Sequence, residues 1–396
     1  VPQATQTRDA FTATAGQTSF ATSGYTPNFL DVFLNGVKLA AADYTATNGS
    51  DVVLASGAVV NDILEVVAYT TFDTANVTAS SGFTVTGNVS VDGGTIKLDG
   101  NYPVGTGNVA LGDNALVDSS LSGGYNTAIG QEALNSNTSG SVNTAIGNGA
   151  LYLNTTGASN ISVGSNSLAD NTTGGSNVAV GRDALGNNTT ASANTAVGYQ
   201  AGYSNTTGTE NTFIGGAAGD AITTSNANTA LGYLSLSAET SSNGNTAIGA
   251  EALKNQNVGG SGDARNTAVG LLAGANVSTG IQNTLIGALA GDAITTASNN
   301  TAVGYQSLSA NTTGTANTAI GRNSLQANTT ADDNTASGMY SLYTNTTGAS
   351  NTAHGRSALF SNTTGSSNVS VGAQALENNT TASGNVAIGD NALRAY

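Results

Sequence analysis

Residues 143–159 read NTAIGNGALYLNTTGAS, and this 17-residue unit decides the fold of most of the chain. Loose copies begin at 17 asparagines, and 14 of the 16 spacings between them are 17 residues. The copies begin at Asn108, Asn126, Asn143, Asn160, Asn177, Asn194, Asn211, Asn228, Asn245, Asn266, Asn283, Asn300, Asn317, Asn334, Asn351, Asn368 and Asn385. A short fixed period predicts a stacked architecture, in which each unit contacts only its neighbours.

Each unit predicts β-structure rather than helix. Glycine at position 5 of every copy breaks helices, whereas threonine, isoleucine and valine favour extended chain. We therefore expect two short strands and two turns per unit, stacked as a parallel β-solenoid. At about 4.8 Å per coil the rod would be on the order of 80 Å long. Asparagines at positions 1 and 12 would form hydrogen-bonded ladders along it.

Paired substitutions indicate which positions face inward. Position 3 is Ala or Ser except at Phe213 and Leu285, and those two units carry Gly219 and Gly291 at position 9 instead of leucine. Because a packed core conserves volume, positions 3 and 9 are expected to share the coil interior. Position 4, which is aliphatic in 15 of 17 copies, then faces outward. An exposed apolar row predicts a homo-oligomer, and three chains suit a narrow fibre.

The composition excludes several classes of function. The 396 residues include no cysteine and one histidine, so thiol catalysis and zinc sites of cysteine or several histidines are impossible within one chain. Acidic residues outnumber basic ones 24 to 9, which argues against nucleic-acid binding. No apolar run approaches the roughly 20 residues of a membrane helix. We expect a non-enzymatic protein without cofactors or membrane insertion.

The chain before the repeats has a different character. Residues 1–75 hold five of the eight phenylalanines, and Asn35-Gly36 between two apolar runs is a type I′ hairpin signal. Strands are predicted at 18–22, 30–34, 37–40, 52–55 and 63–69. This region is expected to be a small antiparallel β-sandwich for attachment. Residues 76–107 are expected to form a β-rich neck, and residues 108–396 a shaft of 17 repeats.

The repeats resemble the β-solenoid shafts of bacteriophage tail-fibre proteins. FTATAGQTSF (residues 11–20) and LDVFLNGVKLAAADYTATNGSDVVLASGA (30–58) look like the leading domain of tail fibres from marine phages, and TGNVSVDGGTIKLDGNYPVGTGNVALG (86–112) looks like their neck. The resemblance implies a homotrimeric virion fibre that contacts tail or baseplate proteins and a host glycan or surface protein. The last unit stops at position 12 without a polar cap, so either the precursor continues past Tyr396 or another component covers this end. Tail-fibre shafts of this kind often precede a chaperone domain that is cut off after trimerisation, and the resemblance implies such a cleavage after Tyr396.

Heads of trimeric autotransporter adhesins have similar SVAIG motifs, so a bacterial surface adhesin or self-assembling extracellular filament is the alternative. This chain shows no heptad stalk or terminal barrel segment. A polysaccharide-cleaving enzyme is a third option. Asp220 and Asp292 recur in matching units, but they lie 72 residues apart, several coils away from each other.

Three kinds of candidate site remain. His354 occupies position 4, one coil after Ser337, so three copies could meet on a trimer axis and hold an ion or water; the alternative is a hydrogen-bonded polar layer that sets register. Exposed tyrosines could stack on sugar rings as receptor contacts, or simply cover the coils. These are Tyr199, Tyr233, Tyr305, Tyr340 and Tyr343. The inserted residues 257–265 form one further candidate loop.

Overall fold

The computed structural model describes residues 6–69, 106–118, 120–260 and 262–395. The chain divides into two compact units, Val1–Thr95 and Ile96–Tyr396, and each is presented by itself. Both units are all-β in the described ranges, which contain no helix. The predicted neck lies outside the described residues except for 106–107.

In the described part of the first unit, residues 6–69, seven strands form two antiparallel sheets over one core. They are β1 (Gln6–Thr12), β2 (Ser19–Ala21), β3 (Leu30–Leu34), β4 (Val37–Lys38), β5 (Tyr44–Thr45), β6 (Asp51–Leu54) and β7 (Ile63–Tyr69). One sheet has the order β1-β7-β3-β4 and the other β2-β6-β5. Val32 and Leu64 from the first sheet and Phe20 and Val52 from the second belong to the same buried cluster.

The hairpin prediction is confirmed. Asn35 and Gly36 join β3 to β4, and both have left-handed backbone angles, with φ of 51° and 80°. That pair of angles belongs to a type I′ turn, whose twist matches the flanking strands. The strands at 30–34 and 63–69 match the prediction, whereas β1 and β5 were not predicted.

Within the residues of the second unit that the structure describes, each repeat contains one three-residue strand, seventeen in all. They are β8 (Val109–Leu111), β9 (Thr127–Ile129), β10 (Thr144–Ile146), β11 (Ile161–Val163), β12 (Val178–Val180), β13 (Thr195–Val197), β14 (Thr212–Ile214), β15 (Thr229–Leu231), β16 (Thr246–Ile248), β17 (Thr267–Val269), β18 (Thr284–Ile286), β19 (Thr301–Val303), β20 (Thr318–Ile320), β21 (Thr335–Ser337), β22 (Thr352–His354), β23 (Val369–Val371) and β24 (Val386–Ile388). Each strand pairs in parallel with the next, so identical repeat positions lie above one another. The predicted parallel β-solenoid is confirmed.

The prediction of two strands per unit is wrong, because the second half of each coil is a series of turns. In the unit of Asn160, Asn166, Leu168 and Ser176 at positions 7, 9 and 17 all have left-handed backbone angles, with φ of 55°, 48° and 59°. A β-strand needs extended angles throughout. Leucine at position 9 is apolar and looks like a strand residue, so its left-handed conformation is not visible in the sequence.

Glycine at position 5 is required by both conformation and space. Gly147 has φ of 138°, and a methyl group built on it would lie 2.5 Å from the carbonyl oxygen of Gly164 in the next coil. The same close approach recurs along the shaft, so neighbouring coils stack glycine on glycine where the strand ends.

The predicted asparagine ladders are confirmed at position 1 and, in the coils that carry asparagine there, at position 12. The Asn143 backbone N–H donates to Asn126 Oδ1 (2.9 Å), while its side-chain Nδ2 donates to the Gly157 carbonyl (2.9 Å). At position 12, Asn154 Nδ2 donates to Asn137 Oδ1 (2.8 Å) and to the Gly157 carbonyl (3.0 Å). These side chains are fully buried. They satisfy backbone groups that the turns would otherwise leave unpaired inside the coil.

Candidate functional site

The strands present an outward row at position 4 that is apolar in fifteen of the seventeen coils. Position 3 is buried in the interior, as Ala145 and Phe213 at 0% exposure show, whereas Ile146 is 38% exposed and Leu231 43%. Because side chains alternate along a strand, positions 2 and 4 share the outer face. The inward assignment of positions 3 and 9 and the outward assignment of position 4 are confirmed. The row consists of Leu111, Ile129, Ile146, Val163, Val180, Val197, Ile214, Leu231, Ile248, Val269, Ile286, Val303, Ile320, Val371 and Ile388.

Two polar residues interrupt this row. Ser337 pairs in register with His354, which in turn pairs with Val371, so the imidazole lies on the outer face and is exposed. Within one chain, no group of three or more histidine, aspartate or glutamate side chains that could hold a metal ion occurs among the described residues. The axial ion or water at His354 therefore remains a prediction about an assembly of chains.

The five tyrosines do not form one site. Tyr199, Tyr233 and Tyr305 stand at position 6 with about half of their surface exposed: 50%, 59% and 47%. The Arg182 guanidinium lies over the Tyr199 ring, 5.5 Å from its centre. These three side chains are accessible to a partner, as the prediction of receptor contacts requires.

Tyr340 and Tyr343 lie elsewhere, in a half-buried aromatic cluster. The Tyr343 and Phe360 rings occupy position 10 of adjacent coils and stack with centroids 5.1 Å apart. The Tyr340 ring meets the Tyr343 ring edge-on at 5.4 Å, and Arg322 lies 5.8 Å from the centre of the Tyr340 ring. In this cluster the rings cover the coils and each other, which leaves less ring surface for a ligand than at the position-6 tyrosines.

Asp220 and Asp292 do not form a catalytic pair. They occupy position 10 of coils four steps apart, which is about 19 Å along the rod and beyond the carboxylate separations of glycosidases. Burial raises the pKa of each carboxyl above its ordinary value of 3.8. In each, Oδ1 is buried without a hydrogen-bond partner in the described structure.

The sequence reasoning missed a buried carboxylate beside the inserted loop. Glu239 stands at position 12, is fully buried, and accepts three backbone N–H groups of residues 240–242 at 2.8–2.9 Å through Oε1. Its Oε2 accepts a hydrogen bond from Gln256 (3.1 Å), whose own oxygen accepts one from Asn266 (2.9 Å). The arrangement joins position 12 of these two coils to the position-1 ladder at Asn266. The asparagine ladder at position 12 is interrupted here, because Ile222 precedes Glu239 and Val277 follows Gln256 at that position. In the sequence, the sign of this site was a glutamate at position 12, where most coils carry asparagine.

The inserted loop itself is held by few contacts. Asp263 bridges to Asn243 and forms an ion pair with Arg265 (2.6 Å), and a methyl group on Gly259 or Gly260 would meet no atom within 4 Å. The loop is accessible, but its described residues converge on no common point.

No helix in the described ranges has the length and hydropathy needed to cross a membrane. Comparisons with protein-family models, with curated proteins and with solved structures found nothing that matches this chain.

Proposed function

We propose that this chain is a structural, non-enzymatic subunit of a homotrimeric phage tail fibre. The observation that carries the proposal is the outward row at position 4, in which fifteen of seventeen side chains are aliphatic. Monomeric proteins rarely expose apolar patches larger than a few hundred Å². The row runs along the coils from Leu111 to Ile388, with interruptions only at Ser337 and His354.

The fibre would act as a stiff spacer. Its stiffness comes from parallel strand pairing at every coil, two buried asparagine ladders and close glycine stacking. The first unit would attach to tail or baseplate proteins of a virion, and the shaft would carry three copies of each surface to a host glycan or protein. Multivalent display raises avidity without a tight single site.

The rival from another class is a bacterial surface adhesin or self-assembling extracellular filament. The same apolar row would serve either protein, so the row alone does not choose between them. A barrel anchor or sorting signal in the complete gene would favour the adhesin, whereas neighbouring tail genes would favour the fibre.

Electron microscopy of the purified chain tests the mechanical part of the proposal. Straight rods with a shaft of about 80 Å, each containing three chains, are the expected particles. Single thin coils without lateral association, or irregular aggregates, would contradict the trimeric fibre.

A further inference from the structure

A groove interrupts the side of the shaft away from the strands. At position 10, consecutive coils carry Ala169 and Gly186, and tyrosine occupies the same position in the coils on either side, as Tyr152 and Tyr203. The missing side chains leave a cavity of about 220 Å³ next to the Tyr203 ring. Gly186 is the only glycine at position 10 in the shaft.

Polar side chains border the groove on both edges. Asn166 and Asp183 at position 7 form one edge, and Asp170 and Asn187 at position 11 form the other. Each edge therefore offers one carboxylate, which accepts hydrogen bonds, and one amide, which both donates and accepts.

Most of these groups are not engaged within the chain. Asp183 pairs with Arg182 (3.1 Å) and lies 3.4 Å from the Asn166 amide. In the part of the shaft that the structure describes, the Asp170 carboxylate, the Asn187 amide and the Tyr203 hydroxyl make no side-chain hydrogen bond. All three are half-buried, so a ligand in the groove would find convergent polar groups already partly desolvated.

The chemistry of the lining selects the class of ligand. Two carboxylates and a net charge of −15 repel phosphate, sulfate and acidic sugars. A divalent cation is disfavoured because no set of three acidic or histidine ligands converges here or elsewhere in the described ranges. A sugar ring, in contrast, supplies hydroxyls to carboxylates and amides and a C–H face to the Tyr203 ring. The volume is below the roughly 300 Å³ of drug-sized pockets, which suits a single ring.

We propose that this groove binds one neutral hexose residue of a surface glycan. The biological role of this binding rests on the proposed function in surface attachment. The binding itself is a property of one chain, because every lining residue comes from three adjacent coils of the same shaft.

The test is saturation-transfer NMR on the full chain with D-glucose, D-galactose, D-mannose, L-rhamnose and N-acetyl-D-glucosamine, each at about 10 mM, a concentration that detects millimolar Kd values. We expect transfer to the ring C–H protons of at least one sugar. Gly186→Gln fills the groove. The Gly186 backbone lies outside the left-handed region, so it accepts a side chain. The new Cβ would lie 3.0 Å from the Tyr203 ring, and a small shift of the ring would remove this close contact.

Gly186→Gln and Asp170→Asn should each weaken binding at least tenfold, while Ser309→Gln, the same position on a coil without a groove, should leave it unchanged. Circular dichroism confirms that the variants fold. Transfer to none of the five sugars, equal binding by Gly186→Gln, or a response of the groove to calcium chloride but not to sugar would overturn the proposal. Light scattering on the same samples reports chain association separately, so a failed groove and a failed fibre give different results.

Discussion

The Phe213 ring fills the space left by Gly219 in its own coil and by Gly202 in the coil before. A methyl group built on either glycine would lie 2.5 Å from a carbon of that ring. Leu285 stands in the same relation to Gly274 and Gly291, with contacts of 2.7 and 2.8 Å. One large residue at position 3 thus serves two coils, which explains why the units containing Gly202 and Gly274 keep alanine there.

This relationship predicts a compensating set of substitutions. Phe213→Ala should lower the free energy of unfolding by about 3–5 kcal/mol, because it opens a cavity across two coils. Gly219→Leu alone should also destabilise the shaft, since leucine would collide with the ring. Both effects are measurable by urea unfolding.

The triple variant Phe213→Ala/Gly202→Leu/Gly219→Leu restores the usual pattern of the repeat and should recover most of the lost stability. If the triple variant is less stable than Phe213→Ala alone, then positions 3 and 9 do not share the space inferred from the packing.

Replacing a buried asparagine of the ladder by alanine should destabilise the shaft. Asn154→Ala removes the donors to Asn137 and Gly157 and the acceptor for Asn171, so buried groups lose their partners. At about 1–3 kcal/mol for an unsatisfied buried group, a loss of at least 2 kcal/mol is expected. Asn148→Ala, at an exposed position with one long hydrogen bond, is the matched control and should change stability little.

The two aspartates with a raised pKa predict a pH dependence of stability. Burial favours the neutral carboxyl, so between pH 3.8 and the raised pKa the folded chain binds more protons than the unfolded chain. The free energy of unfolding therefore falls as the pH rises through this window. Asp220→Asn/Asp292→Asn should raise the Tm at pH 7, and the increase should disappear below pH 3.8.

The exposed Glu210 provides the control for this measurement, since Glu210→Gln makes the same chemical change outside a buried setting. A pH-independent Tm difference in the double variant would mean that the substitutions act through packing rather than through ionisation.

Charges in the apolar row should separate the chains without unfolding the coil. Ile146→Asp/Ile320→Asp places two carboxylates on the outer face, where the folded monomer accepts them but an apolar interface does not. Analytical ultracentrifugation should show a shift from trimer to monomer. Gln131→Asp, at exposed position 6 where Asp113 and Asp390 occur naturally, should leave the association intact.

Much of the fold could be predicted from the repeat. Its period predicted the parallel stack, and the exchange of volume between Phe213 and Gly219 predicted which positions face inward. The turns in the second half of each coil could not be predicted. Leu151 has a left-handed backbone conformation, but leucine does not signal such a conformation in a sequence as Asn35-Gly36 does. The groove at Gly186 was not predicted, because it depends on Ala169 and Gly186, which become neighbours only when their coils stack.

The most direct test of the central claim is the mass of the purified chain in solution, by light scattering together with native mass spectrometry. The trimeric fibre predicts a species of three times 38.8 kDa. Because the structure places position 4 on the outer face, a stable monomer that remains soluble at high concentration would contradict the assembly on which the proposed function depends.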